Sequence, residues 1–421
     1  MNILLLSYNY SPELTGIGKY NAEYCEYLAS QGHKVEVITG FPNYPHWKLF
    51  NGYKNTFYST ENLNGVRITR CPLYIPANPS GSNRMIMDFS FYVTSLLIII
   101  KKLLSFKSYN IVFVPSPSFL MGIHILFLKL FWRKTLFVYH IQDLQIDAAL
   151  ELGIIKYPWI RGILLKIENL ILEKSTLVST ISEGMRKKIL AKSSLLKEVL
   201  LIPNWVDDKT IYKTNVNLDV ISNLGISLNK IVFFYSGAIG EKQGLESLLL
   251  VANKLKTQCP DLLFIISGTG PIKKKLEQTV SEEDISNVKF IDLQPLYEFN
   301  QLLNYASCHL IIQKKQGSES FLPSKLGAIL AVGGLSIVTA EKETSLYDIV
   351  QGNNMGIVIE PENEDALLES LMDVYNQIQS LGESFKIHDL KNNAKNFAFK
   401  YLKKESIIDS FMGKMEEMRQ M

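Results

Sequence analysis

The sequence has few residues of the kinds that form disulfides or bind transition metals. Its 421 residues include four cysteines, and these lie far apart and form no CxxC motif: Cys25, Cys71, Cys259 and Cys308. The six histidines are also scattered, and none has the spacing to a cysteine that zinc ligands show. The sequence therefore supports neither a disulfide framework nor a zinc site.

An excess of one charge and long apolar runs are also lacking. The 44 basic and 41 acidic side chains leave a net charge of +3, which does not indicate a nucleic-acid partner. No stretch reaches the ~18–20 apolar residues of a membrane span; the nearest, Phe89–Ile100, is interrupted by serine and threonine. The N-terminus lacks a basic leader and a small-residue cleavage site. We therefore expect a cytoplasmic protein.

What is present is an alternation of short apolar runs with longer amphipathic runs, which is typical of βαβ units and parallel sheets. A polar stretch, Asp207–Lys230, separates two such series. The first series predicts strands at Ile3–Leu6, Lys34–Thr39, Val66–Arg70, Asn110–Val114, Leu136–His140, Leu177–Ser179 and Val199–Ile202. The second predicts strands at Ile231–Ser236, Leu262–Ser267, Val288–Ile291, Cys308–Ile312, Leu335–Val338 and Gly356–Ile359. We therefore expect two α/β domains that face a cleft, with ligands at the carboxyl ends of the strands.

The segment around Lys325 indicates a phosphate-binding helix. A short acidic loop leads through Pro323 and Ser324 into a helix that starts at Lys325. Ser324 is expected to cap that helix, and Lys325 would add a full charge beside its free N–H groups. Glu319, just before, could bind hydroxyl groups. The alternative is an ordinary capped helix that follows a strand.

Two glycine-rich loops follow the first strand of each series. Gly16 and Gly18 open the first helix, but Asn21 stands where a dinucleotide fingerprint has its third glycine. A general ligand loop, a dinucleotide loop and a plain tight turn all remain open here. In the second series, Gly237 and Lys242 occupy the corresponding loop, and Lys242 could neutralise a diphosphate.

Two further features lie at predicted strand ends. Gly268 and Gly270 end the next strand of the second series and could line the same cavity. His140 ends a strand of the first series, where it could bind a sugar hydroxyl or a phosphate, act as acid or base, or be structural.

Basic residues flank the apolar, aromatic-rich segments of the first series. They are Arg84, Lys101, Lys102, Lys129, Arg133 and Lys134. A basic and apolar surface suits anionic lipid headgroups. The alternative is a pair of core helices with solvated lysines.

Together these motifs resemble the family-4 retaining glycosyltransferases of the GT-B fold, in the branch that builds bacterial capsule, O-antigen and colanic-acid-type polysaccharides. The resemblance lies in Tyr8–Pro12 with Gly16 and Gly18, Phe41–Pro45, His140–Asp143, Thr180–Gly184, Ile202–Asp207, Gly237–Gly244, Gly268–Gly270, Leu322–Lys325 and Ala331–Gly334. It implies a Rossmann-like acceptor domain over residues 1–206 and a Rossmann-like nucleotide-sugar domain over residues 207–395. Residues 396–421 would form a helix that crosses back to the first domain.

The resemblance also implies a chemistry. A sugar would be transferred with retention of anomeric configuration and without a metal, and the leaving phosphate would help to deprotonate the acceptor. The Gly16–Gly18 loop, Lys242 and Lys325 would stabilise the diphosphate. The family often carries two glutamates in the Lys325 region, whereas this chain has Ser320 and Ala328 at those positions.

We therefore expect a glycosyltransferase that uses a UDP- or GDP-sugar and a lipid-diphosphate-linked saccharide acceptor, peripheral on the inner face of the cell membrane. His140 would position the transferred sugar, and Glu319 would bind its hydroxyls. Two alternatives remain: a nucleotide-sugar epimerase or hydrolase of the same fold, and an inactive scaffold of a membrane glycan assembly.

Overall fold

A computed structural model describes residues 1–13, 16–77, 80–116, 118–151, 153, 155, 157–315, 323–381 and 385–420. The chain divides into two compact units. Unit 1 comprises Met1–Pro203 and Ile408–Met421, and unit 2 comprises Asn204–Ile407. Each unit has an α/β architecture of its own, which confirms the predicted fold class.

Unit 1 is built on an eight-stranded sheet in the order β3-β4-β2-β1-β5-β6-β7-β8. The strands are β1 (Asn2–Leu6), β2 (Lys34–Gly40), β3 (Ser59–Leu63), β4 (Val66–Cys71), β5 (Ile111–Ser116), β6 (Leu136–Ile141), β7 (Leu177–Thr180) and β8 (Leu200–Leu201). Neighbouring strands are parallel except β3, which pairs antiparallel with β4 at the edge. The central strands are buried on both faces because helices cover them, so they appear in the sequence as continuous apolar runs.

The unit 1 helices are α1 (Gly16–Ser30), α2 (Gly81–Leu104), α3 (Phe119–Leu128), α4 (Gln145–Glu151), α5 (Pro158–Lys174) and α6 (Glu183–Lys192). Sequence reasoning missed β3, whose residues are polar and mostly exposed. Lys102, one of six basic residues interpreted as either a lipid-facing surface or solvated lysines, fits neither alternative. Lys102 is buried and forms an ion pair with Glu36.

Unit 2 is built on a six-stranded parallel sheet in the order β11-β10-β9-β12-β13-β14. Its strands are β9 (Ile231–Ser236), β10 (Leu262–Ser267), β11 (Val288–Ile291), β12 (Cys308–Ile311), β13 (Ser336–Thr339) and β14 (Ile357–Ile359). Its helices are α7 (Leu218–Asn223), α8 (Leu245–Leu255), α9 (Lys273–Glu282), α10 (Leu296–Tyr305), α11 (Lys325–Ala331), α12 (Ser345–Gly352), α13 (Glu364–Leu381) and α14 (Phe385–Tyr401). All six strands match predicted apolar runs to within one residue at each end.

The C-terminal segment forms two helices rather than one, because α14 ends at Tyr401 and α15 (Lys404–Gln420) begins after a break. The buried face of α15 packs within unit 1, where the Phe411 ring lies 6.1 Å from that of Tyr24 and 5.7 Å from that of Phe113. Tyr27 donates its hydroxyl to Asp409 Oδ1 at 2.8 Å. Among the helices that the structure describes, none combines the length and apolar character needed to cross a bilayer.

Candidate functional site

Each sheet has one point where the strand order reverses direction. In unit 1 it lies between β1 and β5, and in unit 2 it lies between β9 and β12. Connections from adjacent strands leave in opposite directions at such a point, which opens a crevice at the carboxyl ends of the strands. The loops that follow β1, β9 and β12 lie at these two points. Gly268 and Gly270 follow β10, and His140 lies in β6, so these residues are one strand further out.

In unit 2, the two glycine loops pack directly against each other. A Cβ on Gly268 would lie 1.9 Å from the carbonyl oxygen of Gly237, and a Cβ on Gly270 would lie 2.0 Å from that of Ile239. The backbone N–H of Gly237 donates to Ser267 O at 2.9 Å. Gly237 itself has φ of 136°, a conformation that favours glycine. The glycines are therefore needed for the close approach of the loops, which fixes the floor of the crevice.

Lys325 extends over this floor. Its Nζ lies 3.5 Å from the centroid of the Tyr235 ring and 3.3 Å from the position that a Cβ on Gly237 would occupy. The Nζ is buried and has no hydrogen-bond partner among the residues that the structure describes. Burial lowers the pKa of Lys325 to about 7, because removal from water disfavours the charged form.

The other residues predicted around Lys325 have mixed outcomes. Ser324 has helical backbone angles and makes no side-chain cap, so its predicted capping role is wrong. Glu319 and Ser320 lie outside the described residues. Lys242 is exposed in a 3-10 turn, Glu241–Gln243, and its carbonyl oxygen accepts from the backbone N–H of Lys314 at 2.9 Å.

Lys314 is a residue that sequence reasoning missed. It follows β12, on the other side of the reversal point, and its side chain covers Gly244 at the start of α8. A Cβ on Gly244 would lie 2.9 Å from Lys314 Cγ. Lys314 is a basic residue just after the predicted strand Cys308–Ile312, and this position at a strand's carboxyl end is the sequence signal that could have identified it.

In unit 1, the loop after β1 is organised around Glu13, which sequence reasoning also missed. Glu13 is 2% exposed, and its Oε1 accepts from the backbone N–H groups of Asn43 at 2.9 Å and Tyr44 at 3.0 Å. Its Oε2 accepts from Asn9 Nδ2 at 2.7 Å. Burial raises the pKa of Glu13, and these hydrogen bonds oppose that shift. The carboxylate thus joins the loop after β1 to the loop after β2.

Gly16 and Gly18 lie in the first turn of α1, next to this carboxylate. A Cβ on Gly18 would lie 2.9 Å from Glu13 Oε2, and Gly16 adopts a φ of 63°. The Tyr44 ring covers Gly16, because a Cβ there would lie 3.4 Å from Tyr44 Cε1. Both glycines therefore have packing reasons, which are compatible with the predicted ligand loop.

His140 lies at the end of β6, as predicted, and is 4% exposed. Gln142 Nε2 donates to His140 Nε2 at 3.2 Å, so His140 Nδ1 carries the proton and donates to Ser179 Oγ at 3.0 Å. Burial lowers the pKa of His140 to about 3. The ring is therefore neutral at physiological pH and suits hydrogen bonding better than acid catalysis.

An aromatic surface adjoins the Gly16–Gly18 loop. The rings of Tyr44 and Trp47 are 6.0 Å apart at 84°, and both residues are half-buried. The guanidinium of Arg84, on α2, stacks over Trp47 with its carbon 4.8 Å from the ring centroid. Trp47 has φ of 54°, which is strained for a bulky residue.

Comparison with known proteins assigns both units. Residues 15–205 match the glycosyl transferase 4-like domain, and residues 219–397 match glycosyl transferases group 1. A colanic acid biosynthesis glycosyl transferase of Escherichia coli strain K12, WcaI, is 34% identical over 418 residues, which span 98% of this chain and 99% of that protein. The chain belongs to the family-4 glycosyltransferases of the GT-B fold. The resemblance stated from the sequence motifs is thereby confirmed, and the protein is a glycosyltransferase.

Solved structures agree on the fold. WaaG, a glycosyltransferase involved in lipopolysaccharide biosynthesis, superposes with a TM-score of 0.69 at 14% identity over 97% of this chain and 98% of its own. Anabaena HepE, solved in complex with UDP, superposes with a TM-score of 0.67 at 14% identity over 99% of this chain and 100% of its own. At this identity the likeness shows the fold alone.

Proposed function

We propose that this glycosyltransferase transfers a sugar, with retention, from a UDP- or GDP-sugar to a lipid-diphosphate-linked saccharide in the synthesis of a bacterial surface polysaccharide. Unit 2 holds the donor and unit 1 holds the acceptor. The similarity to WcaI supports the polysaccharide role, and the UDP bound to HepE supports a nucleotide donor.

The observation that carries the proposal is the buried ammonium group of Lys325. A cation without an anionic partner is costly to bury, and the cost falls when an anion binds beside it. The group lies at the strand-reversal point of unit 2, against the Gly237 loop. A nucleotide diphosphate supplies a negative charge that Lys325 Nζ lacks among the described residues, and the same contact stabilises the diphosphate as it leaves the sugar.

The proposed chemistry needs no metal. Lys325, with Lys242 and Lys314 at the same edge, neutralises the leaving diphosphate. The neutral His140 positions the transferred sugar when its Nε2 exchanges the hydrogen bond from Gln142 for one from a sugar hydroxyl. The leaving phosphate accepts the proton of the acceptor hydroxyl. Activity in the presence of EDTA tests the metal independence, and the anomeric configuration of the product, read by NMR, tests retention.

The acceptor side is proposed to lie on the membrane. Seven side chains form an exposed stripe along α2, which we call the apolar face of α2: Met85, Ile86, Phe89, Val93, Leu97, Ile100 and Leu104. They are between 37% and 75% exposed, on a helix about 36 Å long. The two exposed charges of α2, Arg84 and Lys101, are both positive. This combination fits the cytoplasmic surface of an anionic membrane.

A thermal-shift panel of UDP, GDP, ADP and CDP tests the donor site, because a ligand that binds only the folded state raises its melting temperature. We expect selective stabilisation by UDP or GDP, followed by sugar transfer from the matching nucleotide sugars. Release of free sugar or an epimer without an acceptor would favour an epimerase or hydrolase. Nucleotide binding without any turnover would favour a scaffold.

A further inference from the structure

We propose that Asp88 of unit 1 binds a non-reacting hydroxyl of the acceptor saccharide and thereby selects the acceptor. This inference rests on the proposed function, because it specifies how unit 1 recognises its acceptor. Asp88 lies on the buried face of α2, among Met87 and Phe91, and is 5% exposed. The reacting hydroxyl does not need this residue, since the leaving phosphate accepts its proton in the proposed chemistry.

The surroundings of Asp88 place it at the strand-reversal point of unit 1. Gln145, at the start of α4 after β6, donates from Nε2 to Asp88 Oδ2 at 3.3 Å. Ser118, at the start of α3 after β5, lies beside the same carboxylate. Burial raises the pKa of Tyr8, which follows β1, and the nearby charge of Asp88 raises it further. Asp88 therefore faces the carboxyl ends of β1, β5 and β6, where open α/β sheets bind ligands.

The hydrogen bonding of Asp88 is incomplete for a buried carboxylate, whose two oxygens can accept roughly four bonds. Among the described residues Asp88 accepts the bond from Gln145, which is longer than the ~2.9–3.0 Å of a typical N–H···O bond. The fully buried Ser118 Oγ beside it is not aligned for a hydrogen bond. By contrast, Glu13 in the same unit accepts three bonds at 2.7 to 3.0 Å. Asp88 thus keeps lone pairs for a further donor.

Gln145 is the positioning residue of this site. Its Oε1 accepts from the backbone N–H of Phe119 at 2.9 Å, which sets the orientation of the amide. The amide nitrogen is thereby directed at Asp88 Oδ2. One oxygen of the carboxylate is held by the protein, and the other is left for a ligand.

The charge of Asp88 determines what kind of group it can bind. Burial raises the pKa of Asp88 to about 6, and the neighbouring Gln145, Ser118 and Arg84 oppose that shift. Arg84 lies one helical turn earlier, with its guanidinium carbon 4.8 Å from the centroid of the Trp47 ring. The carboxylate is therefore mostly ionised at neutral pH, and an ionised carboxylate only accepts hydrogen bonds. The donor that a saccharide offers to it is a hydroxyl group.

The test removes the hydroxyl from the acceptor and the charge from the enzyme, singly and together. The acceptors are octyl glycosides of glucose, galactose, mannose and N-acetylglucosamine below their micelle concentrations. Transfer from the nucleotide sugar selected by the thermal-shift panel is measured as kcat/KM for the acceptor. The best acceptor is then compared with its monodeoxy derivatives, and the derivative that lacks the reacting hydroxyl is recognised because it gives no product.

With the wild type, one of the reactive monodeoxy derivatives should lose roughly 10-fold or more in kcat/KM, because a hydrogen bond to a charged group is lost. D88N should lose a similar factor with the parent acceptor. It should also no longer distinguish that derivative from the parent, since the two changes remove the same contact. A structural role of Asp88 predicts instead that the two losses add.

E36Q is the matched control. Glu36 is also a carboxylate in contact with α2, but it pairs with Lys102 near the other end of that helix. E36Q should therefore keep the wild-type preference for the parent acceptor. D88N retains the shape of Asp88 and can still accept from Gln145, so it should fold and keep the wild-type melting-temperature shift with UDP or GDP.

Additive losses, or wild-type kcat/KM of D88N with the parent acceptor, would overturn the proposal. Transfer to none of the octyl glycosides would also overturn it, because unit 1 would then recognise the lipid diphosphate rather than the saccharide. The proposed function fails separately, through the absence of nucleotide stabilisation in the wild type.

Discussion

The ammonium group of Lys325 lies 3.5 Å from the centroid of the Tyr235 ring, against the backbone of Gly237. The electron-rich face of an aromatic ring attracts a cation without neutralising it. The arrangement thus holds the charge in place, at the strand-reversal point of unit 2, while it stays available to an anion. If Lys325 binds the diphosphate as proposed, its burial costs stability in the absence of ligand, and this gives the first prediction.

K325M should stabilise the protein without ligand and abolish its response to nucleotide. The methionine fills a similar volume but needs no hydration, so the cost of the buried charge disappears. Each kcal/mol gained should raise the melting temperature by roughly 2–4 °C. Thermal unfolding with and without UDP or GDP is the measurement. K254M, at an exposed lysine of α8, should change neither value.

Nucleotide affinity should fall as the pH rises above 7. The pKa of Lys325 is lowered to about 7, so its charged form is lost through this range, and with it the attraction to the diphosphate. Affinity should drop by up to about tenfold per pH unit above 7. Titrations of UDP or GDP between pH 6.5 and pH 9, values chosen to bracket that pKa, provide the test. K325R keeps its charge throughout, so an equally steep decline in that variant would contradict the assignment.

G268A should destabilise unit 2 strongly. The added Cβ would lie 1.9 Å from the carbonyl oxygen of Gly237, so the two loops would have to separate. We expect a loss of about 3 kcal/mol or more in the free energy of unfolding, measured with denaturant. Gly352, in α12, has no atom within 4 Å of the position that an alanine methyl group would take, and G352A should therefore be tolerated. Equal stabilities of the two variants would mean that the loops are not in contact.

E13A should be far more damaging than E13Q. Alanine leaves the backbone N–H groups of Asn43 and Tyr44 without their buried acceptor, at a cost of roughly 2–5 kcal/mol. Glutamine keeps one oxygen for these groups, and the Asn9 amide can turn to accept from the new N–H₂ group. Denaturant unfolding of both variants is the measurement. Similar losses in both would show that the charge, rather than the hydrogen-bond geometry, is what matters.

F89S combined with L97S should reduce membrane binding without reducing stability. Both side chains are exposed on the apolar face of α2, so the substitutions remove no core contact. Flotation with phosphatidylglycerol vesicles should show at least a roughly 10-fold loss, since each apolar side chain contributes on the order of 1.5 kcal/mol when buried. The paired control is L250S with F399S, at exposed residues of unit 2. Equal flotation of the two variants would show that α2 does not contact the membrane.

Much of the fold could be predicted because its signals are local. Strands such as Ile231–Ser236 and Leu262–Ser267 are buried on both faces, so they appear as apolar runs with the observed limits. The edge strand β3 was not predicted, because its side chains are polar and mostly exposed and therefore show no hydrophobic periodicity. The break between α14 and α15 was not predicted either, since the residues there, Leu402 and Lys403, are not proline or glycine.

The sequence by itself determined the two α/β units and the loops at the strand ends, because the hydrophobic period and the glycine spacing depend on neighbours in the chain. It also led to the prediction of a phosphate site at Lys325. Only the tertiary structure decided what those residues contact. The Tyr235 ring beneath Lys325, the carbonyl oxygen that requires Gly268 and the two loops that meet at Glu13 all come from distant segments. Whether a polar group is buried depends on contacts between segments that are distant in the chain, and local sequence patterns do not encode those contacts.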